Sequence, residues 1–152
     1  MSTRSTYRFR KTYEYEGKRY TKNLALVYVH MDGYPSGHPV ETAEWLAGGK
    51  VVNGISLAEN AKLVFNGAGC LAAQFIAENK RGTGGLYMQE MASRGNCGED
   101  YLYDVIVDED NKEITFAAYE AGWGKNSRAK KLYSGTPKGF VKWVKDVYNK
   151  QR

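Results

Sequence analysis

The opening thirty residues constrain the fold most. Over residues 6–15, Tyr7, Phe9 and Tyr13 alternate with Arg8, Arg10, Thr12 and Glu14, the period-two pattern of a strand with one buried face. Lys11 is the one polar residue on the apolar side. Gly17 supplies a turn, and residues 18–30 read as the return strand, becoming continuously apolar at Leu24, Ala25, Leu26 and Val27 as a strand entering a core does. A chain that opens with so long a hairpin must build the rest of its fold around a sheet.

The remaining segments supply partners for that sheet. Pro39 stands at the first position of a short helix predicted over residues 40–46, and Gly48-Gly49 and Asn53-Gly54 bracket a short segment at 50–55. Leu57, Ala61, Val64, Ala68, Leu71 and Phe75 recur at steps of four and three, which predicts a helix over 57–80 with Ser56 and Glu59 as a capping box. Gly67 and Gly69 argue for a break at Asn66-Gly67, in which case Cys70 opens a second helix. Residues 81–98 hold five glycines around a short strand at Leu86, Tyr87 and Met88. Residues 101–107 and 113–119 form a hairpin, and Thr136, Pro137, Phe140, Val141, Val144 and Tyr148 mark a C-terminal helix with its cap and apolar face. The expected fold is a single α+β domain over 1–152, with a mainly antiparallel sheet built from hairpins and packed by two to three helices.

No apolar run is long enough for a membrane span and no apolar block follows the N-terminus, so a cytoplasmic protein with no membrane partner is expected. Cys70 and Cys97 lack disulfide-scaffold or zinc spacing and read as reduced thiols. Residues 1–23 carry seven basic and two acidic side chains and residues 124–152 nine and one, whereas residues 24–123 carry six and fourteen. If the fold joins the two ends, the resulting basic face would suit nucleotides, nucleic acid or an acidic protein; solvated surface lysines explain the same pattern, and nucleic acid is not the favoured partner.

The chemistry concentrates between residues 30 and 39. His30, Asp32 and Tyr34 lie within five residues, with Gly33 between and Gly37-His38-Pro39 opening the following helix, whose free amides favour an anion. His30 and Asp32 are expected on the same side of a strand, as a catalytic acid or base and its orienting carboxylate or as readers of a ligand's polar edge; a strand-end histidine beside an Asp-Gly turn accounts for them equally. His30, Asp32 and His38 together would in principle hold a divalent metal, but the spacing is not diagnostic and no metal or cofactor is expected. Arg4, flanked by Ser2, Thr3, Ser5 and Thr6, has the guanidinium and hydroxyls that suit phosphate. Cys70 after a glycine turn would be an activated thiol able to pair with His30, or simply a small buried residue. The segment at 94–100 reads as a ligand loop or as a turn before the next strand.

The Ser2-Thr3-Arg4-Ser5 segment together with Tyr28-x-His30-x-Asp32-Gly33-Tyr34 resembles an uncharacterised family of small proteins of tailed bacteriophages and their hosts, marked by an N-terminal Thr-Arg-Ser segment and a His-x-Asp-Gly-Tyr box. Gly67-Ala68-Gly69-Cys70 and Glu99-Asp100-Tyr101-x-Tyr103-Asp104 resemble a closer subfamily. The resemblance implies a phage accessory protein acting in the bacterial host cytoplasm. The expected function is binding of a small phosphorylated, nucleotide-type ligand, as an anti-defence protein needs, in a pocket built from Ser2, Thr3, Arg4, Ser5, His30, Asp32, Gly33, Tyr34, Gly37 and His38. The alternatives are a hydrolase, either a phosphodiesterase using His30 and Asp32 or a thiol enzyme using Cys70 and His30, and an inhibitor that grips a host protein through basic residues 125–131. A homo-oligomer is compatible with any of these.

Overall fold

A computed structural model describes residues 2–54, 63–123 and 128–151. Strands β1 (Ser5–Tyr15) and β2 (Lys18–Val29) form the expected hairpin, joined by Glu16 and Gly17, both at positive φ (50° and 76°). That pair matches the twist of the strands it connects. Helix α1 (His38–Ala47) follows, then the short strands β3 (Lys50–Val52) and β4 (Val64–Asn66), helix α2 (Gly67–Asn79) and strand β5 (Leu86–Gln89). Strands β6 (Tyr101–Asp108), β7 (Glu113–Glu120) and β8 (Lys130–Gly135) precede helix α3 (Pro137–Trp143), which runs on through a π turn at Val144–Tyr148.

Six strands make one sheet in the order β5-β2-β1-β6-β7-β8, and β3 and β4 pair in a small second sheet. All neighbours in the large sheet are antiparallel except β1 and β6, which run parallel. The architecture is therefore α+β with a mainly antiparallel sheet and three helices, one of them C-terminal. Alternate residues of the central strands, Tyr7 and Phe9, Val27 and Val29, Tyr103, Val105 and Val107, and Phe116 and Ala118, enter one core with Ala43 and Leu46 of α1, Leu71 and Phe75 of α2, and Phe140 of α3. Burial of this apolar surface is the main stabilising term. The Thr136 hydroxyl caps α3 by accepting from the Gly139 N–H at 3.0 Å, and Pro137 occupies the first turn, as its sequence predicts.

The structure corrects several expectations. The stripe over 57–80 is not one helix, because Val64 and Phe65 belong to β4 and α2 begins at Gly67, whose φ of +80° closes the strand-to-helix turn. The break at Asn66-Gly67 therefore prevails, and Cys70 sits in the first turn of α2; Ser56, Leu57, Glu59 and Ala61 lie outside the described residues. Leu24 does not enter the core. The register slips between Phe9 and Arg10, pairing Phe9 with Ala25 and Arg10 with Asn23, so Leu24 is bulged out and 38% exposed. Strand β8 has no counterpart in the sequence reading, since Lys130 and Lys131 at its exposed edge mask the short Leu132-Tyr133 signal. Strands β6 and β7 stand between β1 and β8, so the basic ends of the chain do not share neighbouring strands.

Candidate functional site

The topology itself assembles the site. Because β2 ends and the parallel pair β1 and β6 begins at the same edge, Ser5 pairs with both Val29 and Tyr101. Three segments of unlike origin thus meet there: residues 2–4 before β1, residues 30–37 after β2, and residues 94–100 before β6. Backbone hydrogen bonds lock them together. The Gly33 N–H donates to the Thr3 carbonyl at 2.9 Å, the Asp100 N–H to the Arg4 carbonyl at 2.8 Å, and the Arg4 N–H to Asp100 Oδ2 at 2.9 Å. The buried Tyr103 hydroxyl donates to the Gly33 carbonyl at 2.7 Å. A Cβ on Gly33 would stand 2.8 Å from the Ser5 Cβ, so only glycine permits this approach.

The third segment is fixed from beneath by buried charge. Glu99, 3% exposed, accepts from the Thr6 hydroxyl and the Gly95 N–H at 3.0 Å, the Cys97 N–H at 3.2 Å and the Cys97 thiol at 3.1 Å. Burial first, and then the Glu99 carboxylate, pushes the Cys97 thiol up to about 12, which makes it a donor rather than a nucleophile. Next to it Asp104, 1% exposed, takes both Nε and Nη2 of Arg8, at 2.9 and 2.7 Å, and Nη2 of Arg94 at 3.1 Å. Two guanidinium groups on one carboxylate satisfy a charge that could not otherwise be buried.

Four polar side chains stand on this rim. The Tyr28 hydroxyl lies 3.0 Å from His30 Nδ1, and the Ser2 hydroxyl lies 3.4 Å from His30 Nε2. The Arg4 guanidinium passes over Gly98, where a Cβ would come within 3.4 Å of Nη1, and its Nε stands 4.0 Å from Asp100 Oδ2. Arg4 Nε is buried without a hydrogen-bond partner among the described residues. Burial raises the Tyr28 hydroxyl above its ordinary value, with the neighbouring Arg4 charge and hydrogen bond pulling the other way and Cys97 and Asp100 adding to the rise. The exposed ring of Tyr87 extends the rim, its centroid 6.2 Å from that of Tyr28.

The expected site is therefore only partly assembled. Ser2, Arg4 and His30 meet; Thr3, Ser5 and Gly33 form the backbone frame under them. Asp32 does not pair with His30 as a strand would require, because β2 ends at Val29 and Asp32 has φ +56°, its carbonyl accepting from the His38 N–H at 2.8 Å. Gly37 closes a tight turn, donating its N–H to the Tyr34 carbonyl at 2.8 Å with the Tyr34 ring against its α-carbon. With the Gly37 and His38 amides engaged and Pro39 lacking one, the anion cradle expected at the start of α1 is largely closed.

His38 belongs to the core side. Its Nδ1 lies 2.8 Å from the Tyr7 hydroxyl and its Nε2 2.7 Å from Asn79 Oδ1, whose amide nitrogen donates to the Phe75 carbonyl. Burial raises the Tyr7 phenol, keeping its proton available to the imidazole. Among the described residues no three His, Cys, Asp or Glu side chains converge as metal ligands. Cys70, hydrogen-bonded to Gln74, lies in the first turn of α2, where the Ala68 N–H donates to Glu109, whose own N–H meets Thr12 of β1; His30 lies beyond the Ser5 end, roughly 23 Å of strand from Thr12. Cys70 and His30 thus stand toward opposite ends of β1 with other partners, and the expected pair is not formed. The clefts of about 430, 540, 670 and 240 Å³ beside β4, β7, α3 and the α1–α2 junction lie elsewhere.

Sequence reasoning placed Tyr28 beside the His30 box without giving it a role, and held Gly98 and Asp100 only within the 94–100 segment, as a ligand loop or a turn. Tyr28 was legible, since positions 28 and 30 at a strand end share a side; Gly98 and Asp100 reach the rim only through the parallel β1–β6 pairing. No protein-family model, no curated protein and no solved structure matches the chain.

Proposed function

We propose that this protein binds a small phosphorylated, nucleotide-type ligand on the rim formed by Ser2, Arg4, Tyr28 and His30. The observation that carries the reading is the convergence of Arg4 with His30 across the Tyr28 hydroxyl, on a backbone frame that holds all three in place. A guanidinium fork and a nearby hydroxyl match phosphate oxygens, imidazole adds a donor, and the exposed Tyr87 ring offers a base a stacking face. The N-terminal Ser-Thr-Arg-Ser segment and the His-x-Asp-Gly-Tyr box support a setting for this binding, an accessory protein of a tailed bacteriophage that sequesters a host defence signal in the bacterial cytoplasm. The hydrolase reading has less support, since among the described residues the His30 ring nitrogens face Ser2 and Tyr28 and hydrogen-bond neither Asp32 nor Cys70.

Isothermal titration calorimetry against linear and cyclic nucleotides tests the reading. Saturable binding that Arg4→Ala weakens at least about tenfold is the expected result; no member binding more tightly than about 1 mM overturns it. Recovery of a host protein with the parent and the Arg4→Ala variant alike, lost on reversing Lys130 and Lys131, would favour the inhibitor reading instead.

A further inference from the structure

The hairpin β1–β2 runs well beyond the sheet that anchors it. Strand β6 pairs with β1 only as far as Thr12, and β5 pairs with β2 only over Leu26–Val29, so the far end is a two-stranded ribbon. The bulge at Leu24 decides what that ribbon displays. By shifting the register, it turns Lys18, Tyr20 and Lys22 to the same face as Lys11, Tyr13 and Tyr15, in the cross-strand pairs Lys11 with Lys22, Tyr13 with Tyr20 and Tyr15 with Lys18. One face thus holds three lysines, three tyrosines and no carboxylate of its own strands.

The rings are set as a platform. Tyr13 and Tyr20 stack with centroids 5.6 Å apart and planes 20° from parallel, Lys11 Nζ lies 5.5 Å over Tyr13, and Tyr15 is 62% exposed. Lys18 and Lys22 form no ion pair with any described residue, while Lys11 is half-engaged by Glu109 at 3.9 Å. Beside Tyr13 a cleft of about 430 Å³ is lined by Lys11, Asn53 and Asn66 on one hand and by the carboxylates of Glu14, Glu109 and Asp110 on the other, so the polyanion is placed on the open ribbon face and not in that cleft. Exposed aromatic faces interleaved with unpaired cations have little use in a monomer's own stability; they match a polyanion whose flat groups are free to stack.

We propose that this ribbon face binds single-stranded nucleic acid, with bases on Tyr13, Tyr15 and Tyr20 and the phosphate backbone along Lys18 and Lys22. A duplex hides its base faces and so cannot use the tyrosines. The proposal is independent of the Arg4 rim, which lies at the opposite end of β1.

Fluorescence anisotropy with the full chain tests it, using labelled oligo(dT) and oligo(U) of about 16 nucleotides and a duplex of equal length. The expected result is single-strand binding that falls between about 50 and 200 mM salt with a log–log slope of roughly −1.4 to −2, from two to three phosphates. Preference for DNA or RNA then assigns the polymer. Tyr15→Ala, at an exposed site, and Tyr20→Ala each weaken binding about tenfold, and Lys18→Ser with Lys22→Ser halves the salt slope or more; nucleotide binding at Arg4 stays unchanged. Parent-like binding by all of these variants, duplex binding as tight as single-strand binding, loss of oligonucleotide binding in Arg4→Ala, or no binding at low salt overturns the proposal.

Discussion

The Tyr28 hydroxyl stands 3.0 Å from His30 Nδ1, and the same hydroxyl feels the charge of Arg4 from a segment that precedes it by more than twenty residues. Tyr28 thereby couples the N-terminal segment to the end of β2. The arrangement makes Arg4 the charge of the proposed site and Tyr28 its orienting bridge.

Replacing Arg4 by alanine is expected to lower nucleotide affinity at least tenfold, and lysine is expected to restore only part, since it keeps the charge without the planar fork. Calorimetry on the three proteins checks this. A lysine variant equal to the parent would show that charge alone matters.

His38→Phe separates the core histidine from the rim. It removes the bonds to Tyr7 and Asn79 and leaves buried polar groups unpartnered, a loss of roughly 1–3 kcal/mol. Urea unfolding should record that loss while nucleotide affinity stays at the parental value; a matching fall in affinity would return His38 to the site.

Asp104→Asn leaves Arg8 and Arg94 facing a neutral partner beneath the 94–100 segment. Breaking one member of a buried charge cluster costs about 3–5 kcal/mol. The midpoint of denaturant unfolding is expected to drop accordingly, with hydrogen exchange rising first at residues 94–100.

Asp108 gives a pH dependence of defined sign. Burial opposes its ionisation, but the Asn111 backbone N–H and side-chain amide and the Arg19 guanidinium at 2.6 Å outweigh it and hold the carboxyl at about 2, against 3.8 ordinarily. A carboxylate depressed in the folded state adds stability above its unfolded pKa, and that contribution is lost as the pH falls from about 4 through 2. Thermal melts over this range should show a shallower decline for Asp108→Asn than for the parent; identical slopes would remove the Asp108 contribution.

Gly33 illustrates how far residue order carries. Its place after an aspartate marks a turn, but that it must be glycine follows from the Ser5 Cβ that a side chain would strike. Likewise the apolar positions 64, 68, 71 and 75 suit a helix equally well whether or not Val64 belongs to it, and the backbone at Gly67 with φ +80° assigns Val64 to β4 instead. The bulge at Leu24 was illegible because a run of apolar residues carries no alternation to reveal a slip in register.

Local pattern by itself determined the β1–β2 and β6–β7 hairpins, the capped C-terminal helix and the α+β class, because strand alternation and helix capping are interactions among residues close in sequence. It also marked Ser2, Arg4 and His30 as chemistry in search of a scaffold. Only the tertiary structure decided which of the marked residues meet. The parallel pairing of β1 with β6 brings residues 98–100 beside Arg4, and the turn at Asp32 sends one histidine to the rim and the other to the core. Those outcomes depend on contacts between segments far apart in the chain, and no pattern within a single segment encodes them.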